Sequence, residues 1–437
     1  MARTGESWGR WPRPTDQALH PLRRRDAALP VGERTLLAHG QGRSYGDSCL
    51  NDGGRLLLTR GLDHFLHFDA DAGVITCEAG VTLGEVLEVA LPRGWFLPVT
   101  PGTQFATVGG ALANDVHGKN HHRNGSFGDH VLAFELLRSD GSRRLLRPGD
   151  PLFAATVGGL GLTGVVSWLQ LKLQRVAGPW MAVESVRFEN LADFFALSAE
   201  SAGSHEYTVA WVDCLARGKA LGRGHFLRAN HAPAGRSGRL PGRGLAMPVT
   251  PPFALVNRLT LRPFNTLYFQ RQQARSRAGI QHYAPYFYPL DGLRDWNRMY
   301  GPRGFLQHQC VLPPAAARDA VAALLGEIAR SGQGSFLAVL KEFGDRAAPG
   351  LLSFARPGTT LALDFPRAGT STFALLDRLD AIVAAAGGAL YPAKDARMSP
   401  AMFRAGQPRL EAFIPHIDPA FSSSFWRRVM EQACNAS

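Results

Sequence analysis

Residues 114–129 read NDVHGKNHHRNGSFGD and concentrate side chains that can do chemistry: three histidines, one lysine and two aspartates among three glycines. A metal site, a nucleic-acid loop, a solvated polar loop and the wall of a cofactor pocket all fit these residue types. A metal site needs ligands that converge from fixed positions, whereas His117, His121 and His122 lack helical i, i+4 spacing with a carboxylate. Nucleic acid is disfavoured because basic residues are not interleaved with aromatics. We therefore favour a cofactor wall and expect no metal.

Three glycine-rich turns accompany this stretch. Residues 40–54 read GQGRSYGDSCLNDGG, residues 101–120 read PGTQFATVGGALANDVHGKN, and residues 157–168 read VGGLGLTGVVSW. Glycine lets the backbone turn tightly, so that successive N–H groups can surround phosphate oxygens. The first turn lacks the GxGxxG spacing between a strand and a helix, so a nicotinamide-binding Rossmann site is not indicated. One such turn is more often structural, but three together indicate a large phosphate-bearing cofactor held by backbone.

Thr107 is placed to cap a helix whose first turn contains Gly109 and Gly110. Each glycine costs a helix about 1 kcal/mol relative to alanine, so a purely structural helix is not expected to begin with two of them. Without side chains at this end, a pyrophosphate or a flat ring can approach the helix N-terminus, where the helix dipole favours anions. The pair therefore predicts a cofactor contact.

Lysine is rare in this chain. Five of its 48 basic residues are lysines, so 43 are arginines, and the lysines are Lys119, Lys172, Lys219, Lys341 and Lys394. Where arginine supplies most of the positive charge, a retained lysine indicates a need for a compact ammonium with an adjustable pKa. We therefore treat the lysines as candidate chemical residues.

The composition of the 437-residue chain, 45% hydrophobic and 19% charged residues, is that of a folded enzyme. Its net charge of +12 suits a phosphorylated substrate or an anionic membrane surface. Five separated cysteines without a CxxC pair indicate neither a disulfide framework nor a zinc ribbon. Glycines interrupt the uncharged stretch 151–171, which favours a turn and a strand over a membrane helix. We expect a cytoplasmic protein without a signal peptide or a transmembrane helix.

Periodicity predicts the elements that position these motifs. Residues 35–80 contain short apolar or alternating runs separated by glycine and aspartate, a pattern typical of strands. Thr82 and Glu85 then form a capping-box pattern before a helix whose apolar positions share one face and which Gly94 ends. Residues 134–146 predict a hairpin with an Asp-Gly turn.

The sequence changes in character near residue 178. Leucines alternate with polar residues over 169–173, as in a half-buried strand. Beyond about residue 178 the segments become longer and more aromatic, which indicates a second domain. Within it, residues 228–252 are rich in Arg, Gly and Pro and predict a mobile loop without regular structure. Near the C-terminus, a helix closed by two glycines is predicted to lead into a short strand that carries Lys394.

The combined motifs resemble those of the decaprenylphosphoryl-β-D-ribose 2′-oxidase family, which consists of FAD proteins of the vanillyl-alcohol-oxidase type. The resemblance is carried by GRSYGD at 42–47, PGTxxxTVGGAxAxDxHGKNHH at 101–122, GSFGDHV at 125–131, GLTG at 161–164, WNRMYGPRGFLQHQ at 296–309, SFLAVLKEFG at 335–344, LDFP at 363–366 and LYPAKDARM at 390–398. These motifs span nearly the whole chain, and HGKNHH and AKDxR are far more specific than any glycine turn.

The resemblance implies an α+β fold of two domains. Residues 1–178 would form the FAD-binding domain of the PCMH type, residues 179–388 a substrate domain on an antiparallel β-sheet, and residues 389–437 a segment that returns to the FAD domain. The implied FAD contacts are Gly42, Arg43, Ser44, Tyr45, Gly46, Asp47, Pro101, Gly102, Thr103, Thr107, Gly109, Gly110, Asn114, His117, Gly118, Lys119, Asn120, Gly159, Thr163, Gly164, Val166 and Lys394. Related flavoproteins attach FAD through a histidine in the first glycine turn, where this chain has Arg-Ser-Tyr, so we expect noncovalent FAD.

The implied reaction is oxidation of the 2′-hydroxyl of a polyprenyl-phosphate ribose to a ketone by hydride transfer to flavin N5. It would be the first half of an epimerisation to arabinose for cell-wall arabinan, which a short-chain reductase partner completes. The implied catalytic residues are Lys394, Gln309, Lys341 and His117. The implied substrate contacts are Lys119, Trp211, Tyr288, Gln309, Lys341, Phe343, Thr360 and Ala362. With a lowered pKa, Lys394 can act as the base; as an ammonium it can stabilise the oxygen, and alternatively it anchors a phosphate or pairs with Asp395.

Two departures from the family bear on the substrate. Ala362 stands where the family has its active-site cysteine, and Thr360 stands where it has an asparagine. They do not touch the hydride chemistry, but they keep open an alditol or aldonolactone oxidase of the same fold that acts on a soluble polyol. A basic binding protein that has lost catalysis is a third interpretation. Arginines of 229–252 are predicted to meet a lipid phosphate or make peripheral contact with a membrane surface, and no nucleic-acid partner is expected.

Overall fold

Strands and helices alternate through the described chain. The structure is a computed structural model that describes residues 4–242 and 244–430. Its strands are β1 Ala18–Pro21, β2 Leu36–His39, β3 Arg55–Leu58, β4 Phe65–Asp69, β5 Val74–Glu78, β6 Trp95–Phe96, β7 Val131–Leu137, β8 Arg143–Leu146, β9 Val165–Lys172, β10 Gln174–Arg175, β11 Trp180–Phe188, β12 Tyr207–Val212, β13 Gly224–His231, β14 Leu245–Ala246, β15 Ser276–His282, β16 Leu293–Arg294, β17 Phe305–Leu312, β18 Val339–Phe343, β19 Gly358–Pro366 and β20 Ala389–Leu390. Its helices are α1 Leu83–Ala90, α2 Val108–Ala113, α3 His121–Asn124, α4 Pro151–Thr156, α5 Leu191–Ala202, α6 Arg258–Gln270, α7 Tyr283–Phe287, α8 Ala317–Ser331, α9 Thr370–Ala385, α10 Pro400–Gly406, α11 Leu410–Phe413 and α12 Ser424–Met430.

The N-terminal strands build two sheets. β4, β5, β9, β7 and β8 pair in that order as an antiparallel sheet, while β1, β3 and β2 form a parallel one. The predicted strands of residues 35–80 are therefore confirmed, and so is the hairpin, because β7 and β8 pair around Gly141, whose φ is 79°. In β9, Leu169 and Leu171 are buried and Lys172 is exposed, as the alternation predicts.

Helix α1 begins and packs as the sequence predicts. Glu85 N donates to Thr82 Oγ1 at 3.2 Å and Thr82 N donates to Glu85 Oε2 at 2.8 Å, which completes the capping box. The buried face of the helix consists of Leu83, Val86, Leu87 and Ala90. It packs against the five-stranded sheet in one apolar core. Gly94, with a φ of 80°, ends the turn that follows α1, because glycine adopts the left-handed region readily.

A larger sheet follows the two N-terminal sheets along the chain. Eight strands pair in the order β15, β11, β13, β12, β18, β19, β17 and β20, and each adjacent pair is antiparallel. Helices α8 and α9 cover it, with Leu324 and Leu379 buried in the same core as Leu361 of β19. The α+β fold class with an antiparallel substrate sheet is confirmed.

The C-terminal part of the chain crosses from the large sheet to the N-terminal strands. β20 pairs with β17, and the chain then reaches β2, where Phe421 bridges to Leu36. Arg428 of α12 forms ion pairs with Asp47 at 2.8 Å and with Asp395 at 2.9 Å. The division of the chain at residues 178 and 388 stays a proposal.

Of three predictions about single elements, one is wrong, one is only partly correct and one is confirmed. The strand predicted to carry Lys394 is wrong, because β20 ends at Leu390 and Lys394 lies in the one-turn 3₁₀ helix Pro392–Lys394, where proline cannot donate to a β ladder. The loop at 228–252 is shorter than predicted, since β13 continues to His231 by pairing with β11, and β14 lies inside the stretch. Residues 151–171 form α4, a glycine turn and β9, as expected. Across residues 4–242 and 244–430, no helix has the length and apolar character needed to cross a bilayer.

Candidate active site

A cavity of about 520 Å³ lies where the glycine turns meet the large sheet. Its lining includes residues of the turns at 38–45, 100–118 and 160–164, of strands β12, β17, β18 and β19, and of the segment that contains Lys394. The volume is in the range of ordinary ligand and cofactor pockets. The cavity thus joins motifs from both ends of the sequence.

The wall built from the glycine turns fits a diphosphate. Thr107 Oγ1 accepts a hydrogen bond from Gly110 N at 3.1 Å and caps α2, as predicted. An added Cβ at Gly40 would lie 2.5 Å from Thr107 Oγ1, so the first two turns can only pack this closely through glycine. At Gly102 an added Cβ would meet no protein atom within 4 Å, which leaves that face of the backbone free beside the cavity.

Four buried polar atoms in the cavity wall have no hydrogen-bond partner among the described residues. They are Arg43 Nε, Ser48 Oγ, His117 Nδ1 and Gln307 Oε1. Buried polar groups are normally satisfied, so unsatisfied ones at a cavity indicate a ligand that completes them. A guanidinium N–H and a hydroxyl near glycine N–H groups are suited to phosphate oxygens, and the Arg43 guanidinium is held 4.3 Å over the Trp8 ring. The residues present therefore fit an FAD diphosphate.

Most of the predicted FAD contacts line this cavity. The predicted cofactor residues found in its wall are Gly42, Arg43, Ser44, Tyr45, Pro101, Gly102, Thr103, Thr107, Gly109, Gly110, Asn114, His117, Gly118, Lys119, Gly164, Val166 and Lys394. Those placed outside the wall are Gly46, Asp47, Asn120, Gly159 and Thr163. The direct role of each in FAD binding stays a proposal.

The residues outside the wall have structural contacts of their own. An added Cβ at Gly46 would overlap the carbonyl oxygen of Asp395, so this glycine permits a close approach of two backbones. Asn120 Nδ2 donates to Pro98 O at 2.8 Å, and the hydroxyls of Thr163 and Thr156 lie 3.0 Å apart. These contacts support the wall from behind.

The predicted substrate residues divide in the same way. Those in the cavity wall are Lys119, Trp211, Gln309, Lys341, Thr360 and Ala362. Tyr288 lies behind it and its hydroxyl is 2.7 Å from Thr100 Oγ1, while the Phe343 ring packs 4.8 Å from the His117 ring. Trp211 is held by a hydrogen bond from Nε1 to Phe336 O at 2.9 Å.

Three of the five lysines converge on the cavity. Lys341 Nζ donates to Gly118 O at 2.9 Å, and Lys119 Nζ donates to Tyr286 O. Burial, together with a neighbouring ammonium group, lowers the pKa of each of these two lysines to about 7, with Lys341 acting on Lys119 and Lys394 acting on Lys341. The cavity therefore concentrates positive charge that an anionic ligand would stabilise.

Lys394 has a different environment from the other two. Its Nζ lies 3.6 Å above the centre of the Tyr45 ring and makes no hydrogen bond with the described residues. Burial lowers the pKa of Lys394, and the buried carboxylate of Asp364 opposes this shift. Asp364 is itself held by Gln307, whose Nε2 donates to Asp364 Oδ1 at 2.7 Å. The ammonium is thus free to meet a substrate oxygen and close to losing its proton near neutral pH.

The side chain of His117 is hydrogen-bonded to Gln309. Gln309 Nε2 lies 3.0 Å from His117 Nε2 and 3.3 Å from Thr360 Oγ1. Burial and the nearby Lys341 and Lys394 hold the pKa of His117 well below its usual value, so the ring is neutral. The side-chain amide nitrogen of Gln309 is a donor, so His117 Nε2 is the acceptor in this hydrogen bond. The imidazole proton of His117 is therefore on Nδ1, the ring atom without a partner among the described residues.

The other two histidines of the opening stretch have separate partners. His121 Nδ1 accepts from Gly344 N at 3.1 Å, and His122 Nε2 lies 3.1 Å from His205 O. The His121 and His117 rings both pack against Phe343, but no group of three or more metal-ligating side chains occurs in the described part of the chain. The HGKNHH motif therefore joins the cavity wall to β18 and β12.

Sequence reasoning missed several residues of the site. Tyr391 lines the cavity and its hydroxyl donates to Asn114 O at 2.9 Å, which links the C-terminal motif to the end of α2. Asp364 and Gln307 lie behind Lys394, and Ser48 contributes an unsatisfied hydroxyl. Tyr391 and Asp364 stand inside the quoted LYPAKDARM and LDFP motifs, which is the signal that would have found them.

Comparison with known proteins agrees with this cavity. Residues 32–147, which contain the first two glycine turns, match a family model described as an FAD binding domain. The decaprenylphosphoryl-beta-D-ribose oxidase of Mycolicibacterium smegmatis is 36% identical over 425 residues, which cover 92% of this chain and 90% of that protein. The chain belongs to this oxidase family. It is an FAD-dependent oxidoreductase, and FAD is its cofactor.

Other relatives extend the comparison. An uncharacterized protein in the mprA 5′ region of Streptomyces coelicolor is 40% identical, over 80% of this chain and 100% of that protein. A probable L-gulonolactone oxidase 6 of Arabidopsis thaliana is 32% identical, but over only 34% of this chain and 26% of its own length. The first two of these matches are long enough to include both the glycine turns and the large sheet of this chain.

Thr107 offers a test of the flavin wall. We expect Thr107→Ala to lower the free energy of unfolding by about 1 kcal/mol, because the α2 N-cap loses its acceptor, and to weaken FAD retention. Thr107→Ser keeps the hydroxyl and is the matched control. Thermal unfolding and the FAD absorbance that survives gel filtration give the two readouts. Equal FAD retention in Thr107→Ala and the wild type would contradict a role for this cap in the wall.

Proposed function

We propose that the enzyme oxidises a secondary hydroxyl of a lipid-linked sugar, the 2′-hydroxyl of a polyprenyl-phosphate β-D-ribose, to a ketone. The observation that carries the proposal is the cavity in which the flavin wall, three half-buried lysines and an apolar end meet. The name of the Mycolicibacterium relative supports the same substrate. The family resemblance further implies that formation of this 2′-ketone is the first half of an epimerisation, which a short-chain reductase partner would complete.

The charge in the cavity supports a phosphorylated substrate. Lys119, Lys341 and Lys394 all line the cavity, where Lys341 lowers the pKa of Lys119 and Lys394 lowers the pKa of Lys341. Their mutual repulsion would fall if an anion bound among them. A phosphate next to the sugar supplies that charge, whereas a free polyol does not.

The far end of the cavity supports a lipid chain. Its wall there is largely apolar and aromatic, with Arg271 stacked on Tyr268 as a charged neighbour. The apolar and aromatic residues are Val209, Ala210, Trp211, Leu227, Tyr268, Phe287, Leu337 and Val339. Burying apolar surface here would favour a prenyl chain by roughly 25 cal/mol per Å². A soluble alditol or aldonolactone has no apolar group to place in this part of the cavity, so the geometry favours the lipid-linked substrate over that alternative.

We assign to Lys394 the role of the base that accepts the proton of the reacting hydroxyl. Its unprotonated Nζ can accept that proton while the C–H hydride leaves with its electron pair, and the ammonium that forms faces the Tyr45 ring. Bound FAD supplies the hydride acceptor at N5. Gln309 and Lys341 are assigned the orientation of the sugar, and the neutral His117 is held in place by Gln309. His117 and Gln309 are buried and the two lysines are half-buried, which limits the access of water to the reacting atoms.

Reduction of the flavin under anaerobic conditions tests the proposal. We expect the FAD absorbance near 450 nm (roughly the usual flavin maximum) to bleach on addition of a polyprenylphosphoryl ribose. Free ribose, alditols and gulonolactone should bleach it far more slowly. Faster bleaching by a soluble polyol would replace the proposed substrate with the alternative, and no bleaching by any alcohol would remove both.

A further inference from the structure

The stretch from Arg228 to Leu290 carries one kind of charge. It contains nine arginines and no aspartate, glutamate or lysine, so its formal charge is +9 in a protein whose total is +12. Blocks of positive charge attract anionic surfaces over roughly a Debye length, about 8 Å at physiological salt. Most of the protein's net charge is therefore concentrated in one stretch of the chain.

The same stretch exposes apolar side chains. Among the described residues, seven of the fourteen large apolar side chains that are exposed lie between 240 and 267. They are Leu240, Leu245, Val249, Phe253, Leu259, Phe264 and Leu267. Single exposed apolar residues are normal, whereas a group flanked by polar or charged residues indicates an interaction surface. We refer to the exposed apolar and basic side chains of α6, which are Arg258, Leu259, Arg262, Phe264 and Leu267, as the α6 surface.

The exposed leucines of helix α6 lie outside the face that packs against the protein. Its inner face is fully anchored, since Leu261 and Phe269 are buried and Asn265 Nδ2 donates to Asp213 Oδ1 at 3.1 Å. Leu259 and Leu267 are eight residues apart, on one outer face, and are 86% and 71% exposed. A helix at a water interface normally carries polar residues there. Helix α6 instead has leucines on both faces.

The α6 surface adjoins the apolar end of the cavity. Tyr268, in the last turn of α6, and Arg271, directly after it, both line the cavity. The Tyr268 ring packs 4.5 Å from the Trp211 ring, and the Arg271 guanidinium lies 3.8 Å over the Tyr268 ring. One short helix therefore contributes to both the exposed surface and the cavity wall.

We propose that the α6 surface docks on an anionic lipid bilayer. Leu259, Phe264 and Leu267 enter the membrane–water interface, while Arg258 and Arg262 contact lipid phosphates. This is the arrangement of an interfacial amphipathic helix. The cavity's apolar end then opens beside the membrane. A nucleic acid would satisfy the arginines but would give the exposed leucines no partner, so lipid is the occupant that matches both features.

Flotation of the FAD-loaded enzyme with lipid vesicles tests the docking surface. We expect it to float with vesicles of phosphatidylcholine that contain about one third phosphatidylglycerol, and not with phosphatidylcholine alone. Leu259→Gln/Leu267→Gln should lower the bound fraction about tenfold or more, because two interfacial side chains are lost. Arg262→Gln should lower it about fivefold at low salt. Raising the salt should weaken wild-type binding.

Matched variants separate this surface from general stickiness. Leu132→Gln/Leu145→Gln removes two leucines that are 38% and 48% exposed on β7 and β8, and Arg144→Gln removes an exposed arginine of β8. These should bind vesicles as the wild type does. Retained FAD absorbance in every variant shows that the fold is intact.

Several outcomes would overturn the docking proposal. They are equal flotation with neutral and anionic vesicles, wild-type binding by the Leu259/Leu267 variant, and no flotation at all. Tighter binding to single-stranded RNA, unchanged by loss of the two leucines, would assign the surface to nucleic acid and also overturn it. Because flotation needs no substrate, its failure leaves the proposed reaction intact, and failure of the flavin bleaching leaves the docking intact.

Discussion

Replacing Lys394 by methionine is expected to slow flavin reduction by about 10²–10⁴-fold, the usual contribution of a positioned acid or base. Methionine keeps the length of the side chain and its packing over Tyr45, but it offers no group that can accept the hydroxyl proton. FAD should stay bound, since the glycine turns and Arg43 supply most of the cofactor wall. Single-turnover anaerobic reduction measures the effect on the chemical step directly.

Two controls make the Lys394 result specific. Lys172→Met changes an exposed lysine of β9 and should reduce flavin at the wild-type rate. Lys394→Arg keeps the positive charge but has a pKa too high to accept a proton near neutral pH. We expect it to be nearly as slow as Lys394→Met. Wild-type speed in the arginine variant would show that charge alone suffices and that Lys394 is not the base.

The pH dependence gives an independent check. Burial lowers the pKa of Lys394 from its ordinary value, so its unprotonated fraction grows as the pH rises through the neutral range. A base acts only when unprotonated, and kcat/KM should therefore fall as the pH is lowered through the same range. Lys394→Met should lack this limb. A flat wild-type profile between about pH 6 and about pH 9 would contradict the assignment.

Local sequence patterns predicted the elements of this fold well. The capping box at Thr82, the cap at Thr107 and the hairpin turn at Gly141 each depend on a few adjacent residues, and each is present. The scarcity of lysine marked all five lysines as candidates, and Lys119, Lys341 and Lys394 line the cavity whereas Lys172 and Lys219 do not. In these cases the decisive interaction is short in sequence or chemically rare.

Contacts between distant segments were harder to predict. Gly46 stands in a motif that suggested a phosphate cradle, yet its backbone packs against residue 395. Asp364 and Gln307 lie on neighbouring strands β19 and β17, and their register places them behind Lys394. No periodicity in a single segment contains this information, because it arises from how two strands pair with each other and with the C-terminal turn.

Gly46 therefore provides the second large expected effect. Gly46→Ala would bring a methyl group into the backbone of Asp395, one residue from Lys394. The two segments are also joined by a hydrogen bond from Tyr45 N to Ala393 O at 2.9 Å, and by Arg428, which bridges Asp47 and Asp395. Because both sides are backbone, neither can yield like a flexible side chain. We expect the free energy of unfolding to fall by about 3 kcal/mol or more.

The position of Lys394 should change together with this stability. Any Gly46→Ala protein that folds should reduce its flavin at least about tenfold more slowly, because small displacements of a catalytic group are costly. Gly102→Ala, whose methyl would meet no protein atom, should keep wild-type stability and lose FAD affinity instead. Gly32→Ala, also in open space but remote from both motifs, serves as the neutral control. If Gly46→Ala loses FAD while its thermal stability and reduction rate stay normal, Gly46 contacts the cofactor after all, and the close-packing explanation is wrong.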